Sequence, residues 1–172
     1  MQAPDYPAIL ESPRFRRQGV DKLGEPFQVR PADARDFEAV LRLFEDFEPR
    51  EGFLGLPPAD PGQCRDWVRL GVGDRVNIVA ESGGKVVGHA FLIDMEPGVR
   101  AELVVMVHQT RRNRGIGSFM MEVLIDLARA LGYKLIWMVV ERQNSRAIRV
   151  FRRKGFRMVG PLDFEIEMEL DL

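Results

Sequence analysis

Cysteine is almost missing from this chain. Cys64 stands alone, which excludes an internal disulfide and fits a reducing compartment. No histidine or basic cluster lies near it in sequence, so it reads as a partly buried structural thiol rather than a nucleophile. Histidine is nearly as scarce: His89 and His108 are the two present, no His/Cys ligand cluster exists, and no metal is expected. No apolar run reaches transmembrane length and no signal peptide is apparent, so no membrane partner is expected and the cytoplasm is the expected compartment. An excess of one charge is absent as well. Lys and Arg total 25 against 26 Asp and Glu, a net charge of −1, so bulk attraction to nucleic acid is not expected. There is no internal repeat and no low-complexity tract.

What is present fits a single folded unit. The 172 residues are 45% hydrophobic and 30% charged, enough for one sizeable core. Residues 1–25 hold Pro4, Pro7, Pro13 and a basic cluster, Arg14, Arg16 and Arg17, without useful periodicity. They read as an irregular N-terminal extension that packs on the domain or wraps a partner, and residues 26–172 as the single domain.

Along that domain the pattern alternates between strand and helix signals. Residues 27–30 alternate and stop at Pro31, which predicts the first strand. Asp33 caps a predicted helix over 34–47, where Phe37, Val40, Leu41 and Phe44 form one apolar face. A Gly- and Pro-rich loop over 49–61 carries Phe53, Leu54 and Leu56, followed by a short helix over 63–70. Apolar loop residues either cap a core or line a cleft. Two β-rich runs, 75–81 and 86–95, flank Ser82-Gly83-Gly84-Lys85, a hairpin signal. Gly88 in the second run marks a bulge or a close approach. A third antiparallel strand spans 101–107.

After that strand comes Arg112-Asn113-Arg114-Gly115-Ile116-Gly117-Ser118, then a helix with an apolar stripe from Ile116 to Leu131, closed by Gly132. A Gly-rich loop between a strand and a helix start offers unpartnered backbone N–H groups at the positive end of the helix dipole. It is a ready seat for a phosphate-bearing ligand. The loop is not a P-loop, because no Lys-Ser or Lys-Thr follows Gly117, and not a dinucleotide loop, because Met120 replaces the third glycine. A turn needed only for tight strand-to-helix packing remains the alternative. Residues 135–140 then form a buried strand, parallel to 101–107 because a helical crossover joins them. Asn144 caps the last helix, Gly155 closes it, and a β region interrupted by Pro161 ends the chain.

Three motifs, in this order, resemble the GNAT superfamily of acyl-CoA N-acyltransferases: the strand Ala101 to Val107, Arg112-x-x-Gly115-x-Gly117, and Asn144-x-x-Ala147-x-x-x-Phe151-x-x-x-Gly155-Phe156. The resemblance implies an α/β fold of the α+β type: a mixed, mostly antiparallel sheet with helices on both faces and a parallel central pair. It implies acetyl-CoA as co-substrate, its pyrophosphate on the 112–118 amides and its pantetheine arm beside the backbone of Val105, Met106 and Val107. Asn144 matches the asparagine that contacts that arm. Phe151 stands where many members have a tyrosine that protonates the leaving thiolate, and phenylalanine has no proton to give. The acceptor side of the cleft falls on the first helix and the loop with Phe53 and Leu56.

Glu102 interrupts an otherwise apolar strand. It is either a solvated edge carboxylate or a general base, since an ammonium acceptor must lose a proton before attacking a thioester. It is similar to the strand glutamate of bacterial protein-lysine acetyltransferases in this superfamily. Of the other residues, His89 reads as structural, His108 as a polar loop residue, Trp67 and Trp137 as core or cleft wall, and the basic last helix as a solvated face whose Arg152 is the best placed for the coenzyme 3′-phosphate. The expected activity is acetyl transfer from acetyl-CoA to a primary amine, by a monomer or homodimer. The acceptor is open: a protein lysine, a polyamine, an amino acid or an aminoglycoside. A non-catalytic acyl-CoA-binding module is the competing reading, favoured by Phe151 and opposed by Glu102.

Overall fold

Alternating burial builds the sheet. In the computed structural model, which describes residues 6–48, 56–73, 76–161 and 163–172, eight strands join in the order β1-β2-β3-β4-β5-β6-β8-β7. They are β1 Arg17–Val20, β2 Pro26–Pro31, β3 Val76–Ser82, β4 Lys85–Glu96, β5 Arg100–Val107, β6 Leu135–Glu141, β7 Arg157–Val159 and β8 Glu165–Asp171. All neighbouring pairs are antiparallel except β5 and β6, which the crossover helix makes parallel. The β3–β4 hairpin turns on Gly83 and Gly84, with φ of 58° and 73°, the left-handed pair that a two-residue hairpin requires.

Helices cover both faces. Helices α1 Tyr6–Glu11, α4 Ile116–Ala130 and α5 Ser145–Arg153 lie on one side, where Ile78, Ala80, Leu103, Met120, Leu124, Ile136 and Phe151 share one core. Helices α2 Phe37–Glu45 and α3 Pro61–Gly73 lie on the other, where Val40, Phe44, Val68, Val79 and Met106 form a second core. Consecutive residues Ile78 and Val79 are both fully buried, one in each core, as the two-residue period of a strand dictates. Gly88 of β4 is a close-approach point: a Cβ there would meet the Met120 sulfur at 2.8 Å and the Met106 carbonyl at 3.2 Å.

Two expectations need correction. The helix signal over 34–47 begins as a 3-10 turn, Ala34–Asp36, before α2. Asp33 does cap it, accepting from Arg35 N while the Asp36 carboxylate accepts from the Asp33 amide. More important, residues 6–25 hold regular elements, α1, a 3-10 turn and β1, rather than an irregular stretch. Within the described part, α1 contacts α4, Phe15 is fully buried, Arg17 pairs with Asp126 at 2.6 Å, and β1 is the edge of the sheet. The strand with Phe27 is therefore the second, not the first. Elements of six and four residues are too short for a periodic signal, and β1 depends on a non-local partner. Gly19 serves that pairing, since a Cβ there would lie 2.6 Å from the Phe27 ring.

Candidate active site

The parallel pair forks. Strand β6 pairs with β5 at Arg100, Ala101 and Glu102 only, and over Leu103 to Val107 the one strand beside β5 is β4. The polar backbone edge of β5 thus opens onto a cleft of about 250 Å³, a shape that suits an added extended ligand. Its walls are Glu102 to Val107 of β5, Met138 to Val140 of β6, Met121 of α4, and Ala147, Val150 and Phe151 of α5. Glu102 is the last paired residue, at the crotch of the fork, opposite Trp137 in register. It is half-buried and shares its face with Val104 and Met106, on the α2–α3 side of the sheet.

The loop after β5 closes one end of this cleft. A 3-10 turn, Gln109–Arg111, is capped by His108, whose Nδ1 lies 2.8 Å from the Thr110 hydroxyl. Asn113 and Gly115 adopt φ of 69° and 97°, and the chain turns directly into α4. The α4 N-cap, Gly115, supplies no side-chain cap, so the first-turn N–H groups of 116–118 face the loop. A Cβ at Gly115 would meet nothing within 4 Å, and one at Gly117 would touch only Val107 Cγ2 at 3.4 Å, so the backbone is open to close approach. An anionic group fits this seat.

Most of the residues expected at the site come together here. Glu102, Val105, Met106, Val107, Arg112, Asn113, Gly117, Asn144, Phe151 and Leu56 all line the cleft. Phe53 lies outside the described residues. Gly115 and Ser118 belong to the loop and first turn without lining the cleft, and the Ile116 side chain is buried in the core. Two arginine side chains have other work. Arg114 reaches Asp21 and Glu25, both at 3.4 Å, while its carbonyl accepts from Lys22 N at 3.0 Å. Arg112 donates Nε to the Val107 carbonyl at 2.9 Å and stacks on Phe47 at 4.5 Å, where burial lowers its pKa. Any phosphate contact from Arg114 and Ile116 therefore comes from the backbone. Asn144 Oδ1 caps α5 by accepting from Ala147 N at 3.2 Å. Phe151 is 8% exposed and packs on Phe156. Arg152 does not line the cleft; Arg146, the second residue of α5, does. No helical spacing from Asn144 pointed to Arg146, whereas Met121 could have been found four residues after Gly117.

A scan of family models matches residues 37–156 to the acetyltransferase (GNAT) family. The chain belongs to the GNAT family. It is an acetyltransferase that uses acetyl-CoA as co-substrate and an amine as acceptor. Among curated relatives, it is 27% identical over 141 residues to an L-methionine sulfoximine/L-methionine sulfone acetyltransferase of Pseudomonas aeruginosa, covering 78% of this chain and 82% of that one. Among solved structures, the GNAT domain of S. lividans PAT superposes with a TM-score of 0.82 at 22% identity, covering 94% of this chain and 99% of that one. A putative acetyltransferase of Salmonella typhimurium, yncA, solved with acetyl-CoA, gives 0.68 at 23% identity, covering 85% and 94%. Both share the fold. Among the described residues, no helix is long and apolar enough to cross a membrane, and no group of three or more His, Cys, Asp or Glu could hold a metal ion.

Neither histidine enters the cleft of this GNAT domain. His89 is 1% exposed, its Nε2 lies 3.2 Å from Asn77 Oδ1, and its ring sits between Phe44 and Phe91. Burial pushes its pKa down to about 3. The unfolded chain protonates this histidine near pH 6.5 and the folded chain does not, so stability is full above that pH and falls as the pH drops from about 6.5 towards 3. Asp33, held down to about 2 by its bonds from Arg35, and Glu81, lowered chiefly by Arg30, add their own losses only below about pH 4.5. Urea unfolding between pH 6.5 and 5 therefore reads the His89 contribution, a loss approaching about 1.4 kcal/mol per pH unit. The same slope in a folded His89→Gln variant would assign it elsewhere.

Proposed function

We propose that the protein acetylates a primary amine by direct attack on acetyl-CoA, with Glu102 as general base. The position of Glu102 where β5 and β6 part carries this reading. An extended thioester arm paired along Val105, Met106 and Val107 would bring its carbonyl towards that crotch, with the diphosphate at the α4 start. The acceptor enters from the face of α2 and Leu56, which Glu102 shares. Glu102 takes a proton from the ammonium. The free amine then attacks the thioester carbonyl, the C–N bond forms, and the C–S bond breaks. The new amide nitrogen gives up its second proton to solvent, and the leaving thiolate takes its proton from solvent, because Phe151 has none to give.

The relative acting on methionine sulfoximine and sulfone supports a small amino-acid-like acceptor. The strand glutamate supports a protein lysine as the other acceptor class. Incubation with acetyl-CoA and a panel of amines separates them: amino acids and their sulfones, polyamines, an aminoglycoside and a lysine peptide, with free thiol release as the readout. Turnover with one class is expected. Acetyl-CoA binding without thiol release on any amine would favour the non-catalytic module that Phe151 allows.

A further inference from the structure

The 3-10 turn that leads into the coenzyme loop also grips the end of α2. The Gln109 side chain makes two bonds to that backbone: Oε1 accepts from Glu48 N at 3.0 Å, and Nε2 donates to the Asp46 carbonyl at 2.5 Å. Between those two residues lies Phe47, fully buried, with the Arg112 guanidinium over its ring at 4.5 Å. Arg112 is in turn fixed to the Val107 carbonyl, at the end of the cleft strand. Three residues of the acceptor side are thus held by a stretch of six residues, 107–112, that runs into the α4 start. Within that stretch the turn is tight, since Arg111 N donates to the His108 carbonyl at 2.9 Å and Arg112 N to the Gln109 carbonyl at 3.4 Å. A ligand that orders the loop therefore orders Gln109.

We propose that Gln109 is a positioning residue that couples coenzyme binding to the backbone of 46–48 on the acceptor side. This rests on the reading of residues 112–118 as the coenzyme seat. Asp46 and Glu48 are exposed, so without Gln109 their backbone groups turn to water. Coenzyme on the loop lowers the cost of holding the bridge, and the acceptor meets a wall already ordered. The bridge is a contiguous chain of hydrogen bonds between two sites, which gives the coupling a physical carrier.

Hydrogen exchange at the Glu48 amide, the donor in one of the two bonds, reports the bridge directly. In the full-length protein, saturating acetyl-CoA is expected to slow it by about tenfold, within the usual range of coupling between sites. In Gln109→Met, which keeps the length and removes both bonds, exchange is fast and acetyl-CoA no longer changes it, while calorimetry still detects binding. Gln109→Glu keeps the acceptor and loses the donor, so it falls between and serves if the methionine variant does not fold. Equal acetyl-CoA-dependent protection in wild type and variants would make Gln109 merely structural. Wild-type binding without any change at Glu48 would overturn the coupling alone. A wild type that does not bind acetyl-CoA would overturn the coenzyme seat, and the coupling with it.

Discussion

Gly117→Glu is expected to weaken acetyl-CoA binding by at least about 100-fold and to leave the fold intact. Gly117 is the second residue of α4 and lines the cleft. Its φ lies outside the left-handed region, and an added Cβ meets only Val107 Cγ2, at 3.4 Å. The backbone therefore accepts a side chain here. A carboxylate in the first helical turn interacts favourably with the dipole, by about 0.3–1 kcal/mol, so stability holds or rises. The same carboxylate occupies the N–H groups that would receive a phosphate and repels it. Like charges brought together in a binding site cost several kcal/mol, and about 2.7 kcal/mol is already 100-fold. Gly115 would be a poor choice for this test, because at φ 97° any side chain strains the loop and mixes folding with binding. Calorimetry and thermal unfolding of the same Gly117→Glu sample separate the two effects. Unchanged affinity in a folded variant would remove the loop from the coenzyme site.

What could be read in advance divides along the range of the interactions. The hairpin at Gly83 and Gly84, the capping by Asp33 and Asn144, the stripe of α4 and the parallel pair all follow from neighbours within a few residues or from one connection rule, and the structure has them. The N-terminal segment escaped because its identity is non-local. Phe15 looks like one aromatic in a basic stretch until β1 meets β2 and the ring drops into the core. The site divides likewise. Glu102, Gly117 and Asn144 were visible in motifs, but the cleft they share exists because β5 and β6 part after residue 102, a fact of register. Gln109, more than 60 residues from Asp46 and Glu48 in sequence, carries no motif and could be found only once the chain had folded.

Glu102→Gln is expected to keep the fold and acetyl-CoA binding and to lose about 10²- to 10⁴-fold in turnover, the usual yield of general acid–base catalysis. Glutamine matches glutamate in shape, and Glu102 is half-buried on a paired strand, so neither packing nor the β5 register with Ile93 and Trp137 has reason to change. The proposed coenzyme seat is at the other end of the cleft, beyond Val107, which would separate binding from chemistry. The pH profile carries the sign of the argument. A base works only when deprotonated, so wild-type turnover falls on the acidic side as Glu102 takes up a proton, and a glutamine has no such limb to lose. Phe151→Tyr in the same background does not rescue the rate: a tyrosine on α5 gives a proton to the thiolate, and the missing step is removal of one from the amine. If Glu102 acts through an ordered water rather than by contact, the loss sits at the low end of the range while the acidic limb still flattens. Rate against pH for the wild type, Glu102→Gln and the double variant distinguishes these outcomes. Full activity in Glu102→Gln with the acidic limb unchanged would reduce Glu102 to a structural carboxylate at the fork.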